Sequence, residues 1–383
     1  MVTMVFTRHT GVFAAALYLL LLTTSTAAEA ESSFAPLMPL ASKSLLLDIA
    51  AAGDRLVAVG ERGHIVYSLD DGQSWHQARV PTTQMLTGVY FVDAQHGWAV
   101  GHDGLILASD DSGETWRIQR DGLVVQNQIN RELREQAYRA KEKLQQRLAE
   151  SSDAQRAQIE AELAEALLDL EDADLALQEP VFTSPLLDVW FADTERGWAV
   201  GAFGSLVATR DGGQRWLNSQ AVLDNPEELH LNAITGDEAG RIFIAGESGV
   251  MFRSLDYGDS WESVSPFYEG SWFGTIYSHR SDQLFVFGLR GNLFRSADFG
   301  TSWEPVVTDN QITLAGGTAS SDGHIVLAGG VGVILTSSDG GQSFQSGLLE
   351  DGLGLSSGLQ RNGRLILVGQ GGAKVIRSAN NGS

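Results

Sequence analysis

Seven copies of one short pattern predict an all-β fold for this chain of 383 residues: a seven-bladed β-propeller of four-stranded antiparallel blades, with an α-helical hairpin inserted between blades two and three. Three observations carry that expectation: a turn flanked by two glycines, an acidic turn closed by an aromatic residue, and a nearly constant spacing between successive copies.

The pattern is plainest in GWAVGHDGLILASDDSGETW, residues 97 to 116. The apolar run Trp98-Ala99-Val100 stops at Gly101-His102-Asp103-Gly104, which reads as a hairpin turn, and Leu105-Ile106-Leu107-Ala108 forms the next run. Then comes S-x-D-x-G-x-T-W. Here Asp111 is placed to accept backbone N–H bonds, and Gly113 can take the positive φ that a tight reversal needs. Thr115 and Trp116 open a further strand.

The glycine-flanked turn recurs at Gly60/Gly63, Gly101/Gly104, Gly201/Gly204, Gly246/Gly249, Gly288/Gly291, Gly329/Gly332 and Gly369/Gly372. The acidic turn recurs at Asp70, Asp111, Asp211, Asp256, Asp298 and Asp339, with Asn380 in the seventh copy. Its steps are 41, 100, 45, 42, 41 and 41 residues, so five of six match one blade and the long step marks an insertion. Trp75, Trp116, Trp216, Trp261, Trp303 and Phe344 close the turns.

An earlier strand precedes each unit, at Ser44 to Ile49, Leu86 to Phe91 and Leu186 to Phe191, and near Ile234, Thr275, Leu314 and Leu353. These are the innermost strands. The seventh copy lacks a fourth strand, and Phe34 to Ser42 is the natural replacement that would close the ring.

The insertion, residues 122 to 180, has helical spacing instead. Ile129, Leu133, Ala137, Ala140, Leu144 and Leu148 mark one face of a first helix, and Ile159, Leu163, Ala166 and Leu170 continue the period in a second. Ser151-Ser152-Asp153 separates them and can cap the second. The first helix is basic, with Arg131, Arg134, Arg139, Lys141, Lys143 and Arg147, and the second is acidic, which favours antiparallel pairing. The organisation expected is therefore a signal peptide at 1–30, blades one and two with the closing strand at 31–121, the hairpin at 122–180, and blades three to seven at 181–383.

The signal peptide rests on Arg8 and His9, an apolar run from Gly11 to Leu22, and small residues suited to cleavage after Ala28 or Ala30. An exported, periplasmic location follows. A formal net charge of -22 argues against nucleic acid and against electrostatic docking on anionic lipid. With no cysteine there are no disulfides, thiolate metal sites or cysteine nucleophiles. No cofactor or metal is expected, since the acidic turns lack the glutamate spacing of a calcium loop and are spread around a ring. They read as structural braces, and Trp98 and Trp198 read as blade core.

Meander topology puts the acidic turns on one face of the disc, and the glycine turns, blade connections and hairpin on the other. Glu61, Arg62, His102, Asp103, Phe203, Glu247 and Arg290 vary at the tips of the glycine turns, as residues that bind a partner would. With Arg134 and Lys141 of the hairpin they are the candidate partner-binding residues, on a monomer.

The turn S-x-D-x-G-x-[ST]-W is the Asp-box, or BNR repeat, of sialidases, sortilin-type receptors and other propellers. The longer units, Gly88 to Asp93 with Gly97 to Gly101 and Asp188 to Asp193 with Gly197 to Gly201, resemble the repeats of the photosystem II stability/assembly factor family. That resemblance covers about residues 45 to 380, apart from the hairpin. It implies an exported seven-bladed scaffold that helps assemble or stabilise a membrane protein complex by binding it, without catalysis. The alternative is a sialidase-like glycosidase or carbohydrate-binding propeller. Glycosidase chemistry would draw on Arg62, Arg290, Glu61, Glu247 and Tyr90, which supply the residue types without a recognisable motif.

Overall fold

The computed structural model describes residues 34 to 377, and over that span seven antiparallel sheets close into a ring around an axial channel. The expected signal peptide and the seventh acidic turn at Asn380 lie outside the described residues. Each blade is a meander from the axis outwards. Blade two, for example, runs Leu86–Phe91, Gly97–Gly101, Ile106–Ser109 and Arg117–Arg120. Six sheets have four strands, while the seventh has three: Leu355–Arg361, Arg364–Gly369 and Lys374–Arg377.

The second strand of each blade is sandwiched between neighbouring blades, so both its faces are apolar. In Gly97–Gly101 all five residues are buried. The core therefore lies between the blades. Val57, Val59 and Ile65 of blade one, for instance, pack with Val89, Phe91, Leu107 and Trp116 of blade two. Trp98 and Trp198 are buried, and the Trp98 ring stacks on Phe191 of blade three with centroids 3.4 Å apart.

Both turn types are mirror-image hairpin turns whose two central residues have positive φ. In the glycine turn these are Asp103 (φ 58) and Gly104 (φ 62), and in the acidic turn Ser112 (φ 62) and Gly113 (φ 83). Such turns match the twist of the flanking strands, and a side-chain-bearing residue such as Asp103 or Ser112 is held in the left-handed region beside the glycine, whereas Gly212-Gly213 and Gly340-Gly341 fill both positions with glycine. Gly101 serves another purpose: a Cβ there would lie on the Met85 carbonyl, where the chain enters the inner strand. A β-bulge recurs at that entry in every blade, as between Leu46 and Asp48.

The expected closing strand does not form. Phe34 to Ser42 lies along blade one instead: Ala35 N donates to Val80 O at 2.9 Å, and Gln77 bonds Pro36 O at 3.0 Å and Met38 N at 2.7 Å. Pro36 and Pro39 remove two of the backbone donors that a strand in this segment would need. The ring closes by packing, with Leu46, Leu56, Val66 and Trp75 of blade one against Leu359, Ile366 and Val375 of blade seven. Arg361 adds bonds to Gly53 O and Asp54, both at 2.6 Å, and an ion pair with Asp71 at 3.2 Å.

The insertion is a hairpin of two helices, Gly122–Ala149 and Asp153–Ala176. Asp121 caps the first by accepting from Val124 N at 3.1 Å. Ser152 is the N-cap of the second, but its side chain makes no cap bond and reaches Gln155 Oε1 at 3.1 Å instead.

The apolar face of the first helix differs from expectation. The seam follows Asn130, Arg134, Ala137, Lys141, Leu144 and Leu148, in alternating steps of four and three that suit paired helices. Ile129 and Leu133 fall one residue aside and are 41% and 52% exposed. Asn130 bonds the Ala176 carbonyl at 3.3 Å, and Arg134 pairs with Asp174 at 2.6 Å. Among the described residues no helix is long and apolar enough to cross a membrane.

Candidate functional site: the glycine-turn face and the axial channel

The first hairpin helix starts directly on the His102–Gly104 turn. Arg120 bonds the Gly104 carbonyl, and the backbone at Gly122 lies so close to Asp103 O that a side chain there would collide with it. The hairpin thus rises from the glycine-turn face, with exposed His102 and half-buried Asp103 at its foot.

On the other side of the hairpin foot the chain assembles an aromatic patch. Phe203, at the tip of the blade-three turn, lies edge-to-face with Phe182 at 6.3 Å and with His230 at 4.9 Å. Its backbone N–H donates to His230 Nδ1 at 2.9 Å, which leaves that nitrogen as the acceptor of the ring. Glu247, from the blade-four turn, accepts from His230 N at 3.2 Å, so the patch spans two blades and the hairpin exit. Phe182 is 68% exposed and Phe203 45%. Two large aromatic rings left in solvent side by side are the kind of surface that a protein partner covers.

Of the residues proposed from sequence, Phe203 and Glu247 are therefore brought together, through His230. Glu61, Arg62 and Arg290 stand apart on other blades. Glu61 accepts from Leu45 N at 3.4 Å, Arg62 points to solvent, and Arg290 borders a groove of about 720 Å³ with Phe267 and Tyr268. Arg134 is committed to Asp174, and the Lys141 ammonium lies over the Tyr138 ring at 4.2 Å. Sequence reasoning passed over Phe182 and His230, because both sit in connections outside the repeat.

The acidic turns carry a repeated bond network. Asp111 accepts from Thr115 N at 2.9 Å, Thr115 Oγ1 at 2.6 Å and Ser109 Oγ at 2.8 Å. The matching bonds, led by the serine hydroxyl, hold Asp70 and Asp298 down at about 2. Both carboxylate oxygens of Asp70, Asp111, Asp256, Asp298 and Asp339 are engaged within their own turn, so the network stiffens the blade end.

The channel holds two carboxylates that the sequence reading overlooked. Asp48 Oδ2 accepts from Val89 N of blade two at 2.9 Å, and Asp188 Oδ2 accepts from Ile234 N of blade four at 2.8 Å. Each therefore ties its inner strand to the next blade. Both line the cavities of about 370 Å³ and 810 Å³ that form the two halves of the channel. Burial pushes Asp48 up to about 6 and Asp188 to about 7, against the lowering effect of those bonds; the Asp48 charge adds to the rise at Asp188. An acidic residue breaking the apolar runs Leu45-Leu46-Leu47 and Leu186-Leu187 was the available signal.

The residues of the glycosidase alternative do not converge. Tyr90 belongs to the inner strand of blade two, where it packs against the buried Trp190 and Trp198 cluster, and burial holds its hydroxyl at about 12. It faces the acidic-turn half of the channel, whereas Glu61, Arg62, Glu247 and Arg290 lie on the opposite face.

Comparison with known proteins matches the sequence profile of a family described as photosynthesis system II assembly factor YCF48, over residues 70–144 and 172–307, more than half of the chain. The photosystem II assembly lipoprotein Ycf48 of Synechocystis sp. is 35% identical over 68 residues, 18% of this chain and 19% of that protein. The chloroplastic photosystem II stability/assembly factor HCF136 of Cyanidioschyzon merolae is 34% identical over 99 residues, 24% and 22% of the two chains. These alignments span about a fifth of each relative's length. Among solved structures, a YCF48 bound to D1 peptide superposes with a TM-score of 0.58 at 14% identity, over 88% of this chain and 94% of that one. A family GH74 xyloglucanase from Xanthomonas campestris reaches 0.58 at 12% identity, over 89% of this chain and 53% of that one. At such identities the superpositions establish the propeller fold alone.

Proposed function

The chain belongs to the photosynthesis system II assembly factor YCF48 family, and from that membership we propose that it is a non-catalytic, exported, periplasmic scaffold that binds a membrane protein complex and assists its assembly or stability. One observation carries the placement of the binding face: the exposed Phe182–Phe203 pair, braced by His230 at the foot of the projecting hairpin. A first helix of 28 residues extends about 42 Å at 1.5 Å per residue, far enough to reach past the disc to a partner. One YCF48 is known with a D1 peptide bound, and an extended segment of a membrane subunit is the class of ligand we assign here.

The non-catalytic reading is supported by the scatter of the candidate acids, arginines and Tyr90 over two faces. It is tested by crosslinking from envelope membranes with three forms: the native chain, one with residues 122 to 180 replaced by a short linker, and Phe182→Ala/Phe203→Ala. The two altered forms should lose the same membrane proteins while keeping native melting behaviour. Equal recovery by all three would remove this face from the reading. Turnover of a glycoside panel that disappears in Glu247→Gln would overturn the absence of catalysis.

A further inference from the structure

We infer that the glycine-turn half of the axial channel is a binding site for an alkylammonium group, whose three N–H donors are received by Asp48, Asp188 and Ser357. The site lies on the axis and does not depend on the Phe182–Phe203 patch.

The inner strands build it at one level. Each enters the channel through its β-bulge, and in all seven blades the residue after the bulge lines the cavity of about 370 Å³. Three of these positions carry a polar side chain: Asp48 in blade one, Asp188 in blade three and Ser357 in blade seven. The other four carry Gly88, Ala233, Gly274 and Gly316, with at most a methyl group. Blades seven, one, two and three follow one another around the ring, so the polar groups share one side of the channel with only Gly88 between them. A Cβ at Gly88 would stand 3.4 Å from Asp188 Oδ1, and any longer side chain would crowd that carboxylate. The small residues opposite leave room for a ligand.

Ser357 supplies an independent sign of one. It is 2% exposed, and among the described residues its Oγ has no hydrogen-bond partner. It stands near enough to Asp48 to lower the proton affinity of that carboxyl without closing a bond to it. A buried hydroxyl is costly to leave unpaired, and this one borders the cavity that the two carboxylates share.

The acceptor count selects an ammonium over a metal ion. Asp48 Oδ2 and Asp188 Oδ2 already accept from Val89 N and Ile234 N, and Asp188 Oδ1 also accepts from Val189 N at 2.8 Å. What remains falls short of the six or more oxygens that calcium takes, and among the described residues no three acidic or histidine side chains are grouped to hold a metal. An ammonium needs three acceptors, and three are present. The mouth suits the rest of such a ligand. One residue nearer the glycine-turn face, Leu47, Leu187 and Phe273 line the cavity and would cover a methylene stem whose charged head points inward. Burial raises the proton affinity of both carboxyls, and the ammonium supplies the compensating charge in place of the proton. A net charge of -22 draws cations towards the molecule.

The test is calorimetric titration of the full chain with n-butylammonium chloride at fixed ionic strength, beside n-butanol as an uncharged probe of the same shape. One butylammonium should bind per chain, and butanol roughly tenfold more weakly or worse. Asp48→Asn and Asp188→Asn keep an oxygen for Val89 N and Ile234 N, and each should weaken butylammonium roughly tenfold; Ser357→Ala should weaken it about threefold. Phe182→Ala/Phe203→Ala should leave it unchanged, so failure of the aromatic patch as a partner site is read separately. A blocked pentapeptide with one central lysine and free 1,5-diaminopentane separate the two sources of the group. Tighter binding of the peptide assigns a lysine of a protein segment, tighter binding of the diamine assigns a free amine, and either supports the site. The inference is overturned if butylammonium does not saturate the native chain, if butanol binds equally well, if neither asparagine variant changes the affinity, or if calcium or magnesium chloride displaces butylammonium at matched ionic strength. The comparison with butanol and the metal competition use the native chain alone, and so decide the matter even where a variant fails to fold.

Discussion

Replacing Asp188 by asparagine should flatten the dependence of stability on pH between 5 and 8. In the folded chain this carboxyl titrates at about 7 instead of 3.8, so the folded state holds a proton that the unfolded state has released. Stability from this group is therefore fully present below pH 4 and is lost as pH rises towards 7. At about 1.4 kcal/mol per pH unit, the interval amounts to at most about 4 kcal/mol. The two pH units between 5 and 7 carry at most about 3 kcal/mol of that loss. Asparagine keeps an oxygen for Ile234 N and carries no charge.

Urea denaturation at pH 5 and pH 8 should show the native chain weaker at the higher pH, with Asp188→Asn nearly level. Asp48→Asn should move the Asp188 transition downwards, because the Asp48 charge contributes to the rise at Asp188. His64, whose burial lowers its affinity for protons, contributes stability that grows as pH rises towards 6.5, and it is common to all variants. The difference between variants therefore isolates the carboxylates. Identical slopes for the native chain and Asp188→Asn would refute the reasoning.

Other expectations concern the frame. Asp111→Ala leaves the donors of Thr115 without their acceptor and should cost about 1 to 2 kcal/mol in urea denaturation. Asp211→Ala should cost less, because Arg215 offers its turn only a backbone bond. Gly101→Ala forces a methyl against the Met85 carbonyl and should destabilise by roughly 2 to 4 kcal/mol, read from the thermal midpoint. Removing residues 34 to 40 strips a few bonds from blade one without opening the ring, so a loss of roughly 1 to 2 kcal/mol is expected by the same measurement, and wholesale unfolding would restore the closing-strand account.

Much of the frame was legible because each blade restates its own turn chemistry. The pairing of Gly101 with Gly104 and the S-x-D-x-G-x-T-W turn are local instructions, and the bonds around Asp111 form within seven residues. The site was legible only in part. Phe203 and Glu247 could be nominated as variable tips, but their meeting depends on His230, which arrives from the connection between blades three and four. The hairpin periodicity marked two helices correctly and found Ala137, Leu144 and Leu148 of the seam, but it missed Asn130, Arg134 and Lys141, whose polar side chains carry no apolar signal.

From the sequence alone came what short-range forces specify: the blade count, the order of strands, the turns that reverse them, and the helical character of residues 122 to 180. Tertiary structure decided what depends on distant segments meeting. It turned Phe34 to Ser42 onto blade one and raised the proton affinity of Asp48 and Asp188 by enclosing both in one channel. The reason is physical. Turn geometry and strand pattern are set by neighbours along the chain, whereas burial and desolvation arise only when the ring brings distant blades together.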